Sequence, residues 1–102
     1  MNKRPQKLPP DAGYFRTVGP FDQHTLPDGL RREHRLKEGS WGVLTVEAGE
    51  VTFVWDDEEG GEQVLTAPAT WIVPPTVPHH LVGEGPFNLT IQFFRMSHSM
   101  VR

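Results

Sequence analysis

Five histidines are the side chains of this sequence best suited to chemistry near neutral pH: His24, His34, His79, His80 and His98. Imidazole titrates close to physiological pH and is a favoured ligand of zinc, iron and nickel. The chain has no cysteine, so a metal site would need histidine, carboxylate or amide ligands. His98 belongs to the polar C-terminal segment and His24 to the irregular stretch 20–29, and we expect both to be exposed.

His34 lies in a segment, residues 30–36, that we expect to form a strand. Alternation along an extended chain would place His34 on the same face as Leu30, Arg32 and Leu36. The leucines at both ends of that face indicate that it points into the protein. A buried imidazole needs a partner there, which could be a hydrogen-bonding group, a water molecule or a metal ion.

His79 and His80 follow an apolar segment, residues 72–78, that contains three prolines. Neighbouring residues on an extended chain point to opposite faces, so only one of the two histidines can face the interior. The spacing favours His79. No nucleophile with an adjacent base is evident in the sequence, which argues against covalent catalysis.

The elements that must position these histidines are β-strands, because ten prolines and ten glycines leave no long amphipathic segment for a helix. The strongest strand patterns are at residues 41–46, 51–55 and 89–94, and weaker ones are at 14–18, 30–36, 63–66 and 70–73. Turn-forming residues at 47–50, 56–61 and 83–86 should each reverse the chain. Many short strands with close turns predict an all-β sandwich or barrel.

Size and composition are those of one ordinary globular domain covering residues 1–102. We expect residues 1–12 to form an extended arm and residues 96–102 a flexible tail. The sequence contains no apolar run long enough to span a bilayer and no signal peptide, so we expect a cytoplasmic protein without a membrane partner. The net charge of -3 argues against a nucleic-acid partner.

The segment from Pro74 to His79 resembles the second sequence motif of the cupins, Pro-x-Gly-x-x-His, with Thr76 in the glycine position. The first cupin motif is matched at His34 and Gly49. Leu36 stands where a second histidine ligand belongs, and residues 41–42 stand where a glutamate ligand belongs. The resemblance implies an all-β fold, a small cupin-like β-barrel of the double-stranded β-helix or jelly-roll type.

This pattern of retained and lost positions resembles the TehB/YeaR-like tellurite-resistance family, whose members occur alone or fused ahead of a methyltransferase domain. The resemblance rests on residues 26–27, 33–34, 39–46, 49, 74–75, 79 and 87–94. We expect a stand-alone cupin-like domain here, so methyl-transfer chemistry is not carried over to this chain.

The resemblance implies that His34 and His79 bind a divalent metal ion: Zn, Fe, Mn or Ni. Two imidazoles alone make a weak site, and we predict Gln92 as a third ligand, because alternation sets it opposite Ile91 and Phe93. Glu33 and Glu47 are less favoured ligands, and water could complete the shell. Three further residues are expected around the pocket: Glu33, Trp41 and His80. A metal-free, hydrogen-bonded histidine pair is the alternative.

The sequence thus predicts a stress-response protein that binds a small molecule or oxyanion in a metal-binding pocket. Two other function classes stay open: a metal-dependent enzyme carrying out a simple redox or hydrolytic step, and a metal-free sensing or interaction module. A homodimer is also predicted, because small barrels with exposed edges often pair and the arm at residues 3–10 could reach a neighbour.

Overall fold

The structure, a computed structural model, describes residues 7–96 of the chain. Within that range it is built from strands, as expected, with one short 3-10 helix at Asp28–Leu30. The six strands are β1 (Ala12–Asp22), β2 (Ser40–Trp55), β3 (Glu62–Thr66), β4 (Ala69–Val73), β5 (His79–Val82) and β6 (Phe87–Met96). The first half of the predicted arm, the predicted tail beyond Met96, and His98 within that tail lie outside the described residues. No helix in the described part of the chain is long and apolar enough to cross a membrane.

Strand β2 organises the fold because its two halves belong to two different sheets. The first half pairs with β6 on one side and β4 on the other, and β1 extends this sheet by pairing with β6. The second half lies between β3 and β5. All of these strand pairs are antiparallel, and the two sheets face each other across one hydrophobic core.

The predicted chain reversal at residues 47–50 is wrong, because β2 continues through it. Gly49 has a φ of 71°, and the register with β6 shifts between Val46 and Ala48. This bulge bends the strand and adds one residue to its alternation. The buried residues are at even positions before the bend, ending at Val46, and at odd positions after it, beginning at Val51. Both halves of β2 therefore face the core.

The predicted strand over residues 30–36 is also wrong. The chain there is extended only around two isolated bridges, where His34 pairs with His79 and Leu36 pairs with Pro75. The preceding residues turn, and the Arg31 side chain donates hydrogen bonds to the carbonyl oxygens of Gln23 and Gly83. The predicted reversals at residues 56–61 and 83–86 do connect β2 to β3 and β5 to β6.

Candidate functional site

His34 and His79 are direct cross-strand neighbours. The His34 backbone N–H donates to the His79 carbonyl oxygen at 3.0 Å, and the His79 N–H donates to the His34 carbonyl oxygen at 2.9 Å. Residues that exchange both backbone bonds in an antiparallel pair carry their side chains on the same side. The two imidazole rings accordingly meet edge to face, with their centroids 4.3 Å apart.

The turn before His79 holds this pairing in register. Thr76 has a φ of 68°, in the left-handed region that favours glycine, and this is the position where the cupin motif has its glycine. Its backbone N–H donates to the Leu36 carbonyl oxygen at 2.7 Å. A β-branched residue in this conformation costs about 1–2 kcal/mol. The motif therefore reflects a backbone shape, and Thr76 adopts it with strain.

The two histidines line a cavity of about 60 Å³ between the sheets. The other nine described residues in its wall are apolar or glycine, among them Leu44, Phe53 and Leu81. His79 is 3% exposed, and the Phe53 ring stacks on it with 4.8 Å between centroids. We call this space the two-histidine cavity. Its only polar side chains, among the described residues that line it, are the imidazoles.

Both rings use the same nitrogen to bond to the backbone. His34 Nδ1 lies 3.0 Å from the Arg32 carbonyl oxygen, and His79 Nδ1 lies 2.9 Å from the Val77 carbonyl oxygen. A carbonyl oxygen can only accept, so Nδ1 carries the hydrogen in each ring and donates it. The neutral rings then present Nε2 as a lone pair. An imidazole whose other nitrogen donates to a carbonyl is the usual arrangement of a histidine metal ligand.

Burial lowers the pKa of His79 from 6.5 to about 4, because the cavity wall disfavours the charged ring. The hydrogen bond to the Val77 carbonyl oxygen acts in the opposite direction, and the nearby His34 lowers the pKa further. At neutral pH His79 is therefore an uncharged ring, which is the form that can bind a metal ion.

This low pKa predicts an acid-dependent loss of stability in chelator-treated protein. Between pH 6.5 and about 4 the unfolded chain binds a proton at His79 and the folded chain does not. Acidification through that range should therefore lower the free energy of unfolding by roughly 3 kcal/mol from this group. Denaturant unfolding at several pH values measures it, with His79→Gln as the comparison. The stability advantage of wild type over His79→Gln should shrink as pH falls, and parallel pH curves for the two proteins would refute the prediction.

The structure does not bring Gln92 to the histidines. Ile91 and Phe93, its neighbours on β6, line the two-histidine cavity, so alternation directs Gln92 to the opposite face of the sheet. There it lies opposite Thr17 of β1 and Val43 of β2. Gln92 therefore cannot be the third metal ligand that the sequence predicted.

Trp41 is displaced from the cavity for the same reason. Gly42 and Leu44 of β2 line the cavity. Trp41 is on the opposite face of the strand, where it pairs with Phe94 of β6. Glu47 is exposed and accepts a hydrogen bond from the Thr90 hydroxyl at 3.2 Å.

Glu33 and His80, predicted around the pocket, are also outside the cavity wall. Glu33 is exposed and lies 3.6 Å from the Arg35 guanidinium. His80 follows His79 on β5 and points away from it, with Nδ1 2.7 Å from the Asp56 carboxylate. His24 is exposed. Within residues 7–96, no group of three or more histidine, aspartate and glutamate side chains could hold a metal ion.

Sequence reasoning missed the cavity wall as a functional element. The Phe53 ring fills the interior and also forms the stacking surface of His79, a contact that the strand pattern does not indicate. The backbone acceptors at Arg32 and Val77 were not anticipated. Each lies two residues before its histidine, and that shared spacing is the signal that could have indicated them.

Comparisons with known proteins agree with this architecture. A family model described as the TehB-like domain matches residues 16–91. TehB from Haemophilus influenzae has 23% sequence identity and a TM-score of 0.77, and the match covers 85% of this chain and 32% of that one. This chain thus spans about a third of the length of that relative. A protein from E. coli K12 has 21% identity and a TM-score of 0.74, covering 86% and 94% of the two chains.

More distant structural neighbours include an Fe(II) form of HppE, with 18% identity and a TM-score of 0.56, covering 92% of this chain and 62% of that one. No curated protein sequence matches the chain. The strand architecture and these neighbours identify the fold as all-β and cupin-like, which confirms the predicted fold class.

Proposed function

Because the chain belongs to the TehB-like domain family, we propose that it binds a divalent metal ion through His34 and His79 and, at that ion, a small ligand of the oxyanion type. One observation carries the proposal. Both Nδ1–H groups donate to backbone carbonyls, and both Nε2 lone pairs belong to rings in the wall of the same cavity. The pairing of His34 with His79 agrees with the two histidine positions of the cupin motifs that the sequence retains.

The donor set fits some metals better than others. Neutral imidazole nitrogen suits Zn, Fe and Ni, whereas Mn prefers carboxylate and water oxygen. No described residue that lines the cavity carries a carboxylate. Zn, Fe(II) and Ni(II) are therefore favoured over Mn(II). A space of about 60 Å³ has room for water, so the remaining ligands would be water or a small bound molecule.

The apolar wall makes anion binding dependent on the metal. An uncompensated charge in an apolar cavity is strongly unfavourable, and His79 is uncharged at neutral pH. A metal ion bound there would act as a Lewis acid toward a ligand oxygen. The histidines would hold and orient it, while the surrounding apolar side chains would exclude bulk water. Without metal, the same cavity would suit only a small uncharged molecule.

The cavity wall favours binding over catalysis. Its described residues include no hydroxyl, thiol or carboxyl group, so any proton transfer would fall to the two imidazoles. Any role in stress response would follow from capture of a toxic oxyanion such as tellurite, as the family resemblance implies.

Metal titration of untagged protein tests the proposal. We expect one equivalent of Zn(II) or Ni(II) to bind wild type and the His80→Gln variant alike, because His80 lies outside the cavity. Loss of an outer-shell partner alone reduces affinity about 10–100-fold, so a His34→Gln/His79→Gln variant, which loses both ligands, should bind at least about 100-fold more weakly. Equal affinities in wild type and the double variant, or no binding to wild type, would overturn the proposal.

A further inference from the structure

A second depression lies on the surface beside the two-histidine cavity, with a volume of about 380 Å³. Four cationic side chains line it: Arg16, Arg35, Lys37 and Arg95. No acidic side chain is among the described residues in its wall. This concentration of positive charge occurs in a chain whose net charge is -3. We call this depression the basic groove.

Three elements bring these cations together. Arg16 of β1 lies opposite Phe93 of β6, and Arg95 follows two residues later on β6. Arg35 and Lys37 are alternate residues of the extended segment before β2, so both can point to the same side. The charge cluster therefore results from tertiary structure, since its members are far apart in sequence.

Two of the guanidinium groups lie over phenylalanine rings. The Arg95 guanidinium carbon lies 3.5 Å from the centroid of the Phe15 ring, and that of Arg16 lies 5.9 Å from the Phe93 centroid. A guanidinium stacked by its face keeps its N–H groups at its edge, where they can bond to an anion. Arg35 donates a long hydrogen bond to the Thr76 carbonyl oxygen at 3.4 Å. It also has an ion pair with Glu33 at 3.6 Å, but both side chains are more than half exposed, so that pair is weak.

Aromatic rings give the basic groove a second chemical character. Phe15, Phe93 and Phe94 all contribute to its wall, and Phe15 is 46% exposed. The arginines can bind the charged end of a ligand. The exposed phenylalanine beside them can contact the apolar part of the same ligand.

We propose that the basic groove binds a small organic anion, a carboxylate or phosphate attached to a flat apolar body. The groove volume falls within the roughly 300–1,000 Å³ of small-molecule sites. The overall negative charge disfavours a long polyanion such as nucleic acid. Leu36 and Phe93 belong to the walls of both the groove and the two-histidine cavity, so the two sites are adjacent. Anion binding in the groove does not require a metal at the histidines.

Calorimetric titration of the full chain at low ionic strength tests this proposal, with chelator present. The probes are phenyl phosphate and benzoate, with benzamide as the uncharged analogue and inorganic phosphate as the head group alone. An Arg16→Gln/Arg95→Gln variant should bind both organic anions about tenfold or more weakly. The control, Lys7→Gln/Gln63→Glu, changes net charge by the same amount at exposed positions outside the groove and should bind like wild type.

Three further results support the proposal: benzamide does not bind, added salt weakens anion binding, and the His34→Gln/His79→Gln variant keeps it. The last of these separates this site from the metal proposal. The proposal is overturned if wild type binds neither organic anion at millimolar concentration, or if the arginine variant and its charge-matched control bind equally. Inorganic phosphate binding as tightly as phenyl phosphate would also overturn it, as would tighter binding of an oligothymidylate.

Discussion

A Gly49→Ala variant is expected to lose a large part of its folding free energy. A Cβ atom at this position would lie 1.9 Å from the Pro86 carbonyl oxygen and 2.8 Å from the Phe87 Cα, and both are backbone atoms that cannot rotate away. The φ of 71° adds strain for any residue with a side chain. The bend of β2 would have to open, so we expect a loss of about 4 kcal/mol or more, against a total of roughly 5–15 kcal/mol for a domain.

Thermal and denaturant unfolding measure this loss, and Gly39→Ala is the matched control. Gly39 has a φ of 83°, but a Cβ atom there would meet nothing within 4 Å beyond its own chain neighbours. Only the conformational cost of a side chain at positive φ, about 1–2 kcal/mol, should therefore appear. If the two variants are equally stable, then the contact between Gly49 and the β5–β6 connection does not hold the bend.

The second large effect is expected for Phe53→Ala, with a loss of about 3–5 kcal/mol in the free energy of unfolding. Phe53 is 1% exposed, and its ring contacts Trp55 and Trp71 as well as stacking on His79. Without the ring, the two-histidine cavity would be larger by about the volume that the ring occupied. Water can then reach His79, so the pKa of this histidine should rise from about 4 toward 6.5.

Denaturant unfolding gives the stability of this variant, and NMR titration of the histidine rings gives the pKa. Phe53→Leu, which fills more of the space, should lose less stability than Phe53→Ala and keep a lower His79 pKa. A stability loss below about 1 kcal/mol in Phe53→Ala would contradict the packing described around His79.

Alternation was sufficient to identify the strand around Phe53, because apolar residues at odd positions from Val51 to Trp55 face one core. It failed at residues 47–50. Glycine between two strand patterns is typical of a turn, and here it permits a bend against Pro86, a contact between residues 37 positions apart. Such a contact leaves no local pattern. The strand predicted at residues 30–36 is absent because alternating polarity does not ensure strand pairing. Only two isolated bridges form there.

The histidine pair was predictable from motif spacing, and the structure brings His34 and His79 together. The prediction of Gln92 as a third ligand was wrong. Both faces of β6 carry apolar residues, with Ile91 on one and Phe94 on the other, so alternation defines two faces without showing which one meets the cavity. The basic groove was beyond sequence reasoning, because its four cations come from three separate segments.

Histidine-ring ¹H–¹⁵N correlation spectra test the central claim most directly, since they report each ring nitrogen separately. In metal-free protein, His34 and His79 should both carry their hydrogen on Nδ1. On addition of one equivalent of Zn(II), the Nε2 resonances of both rings should shift together, while those of His80 stay unchanged. A hydrogen on Nε2 of either ring in the metal-free state, or a shift at only one of the two rings on addition of zinc, would contradict the account.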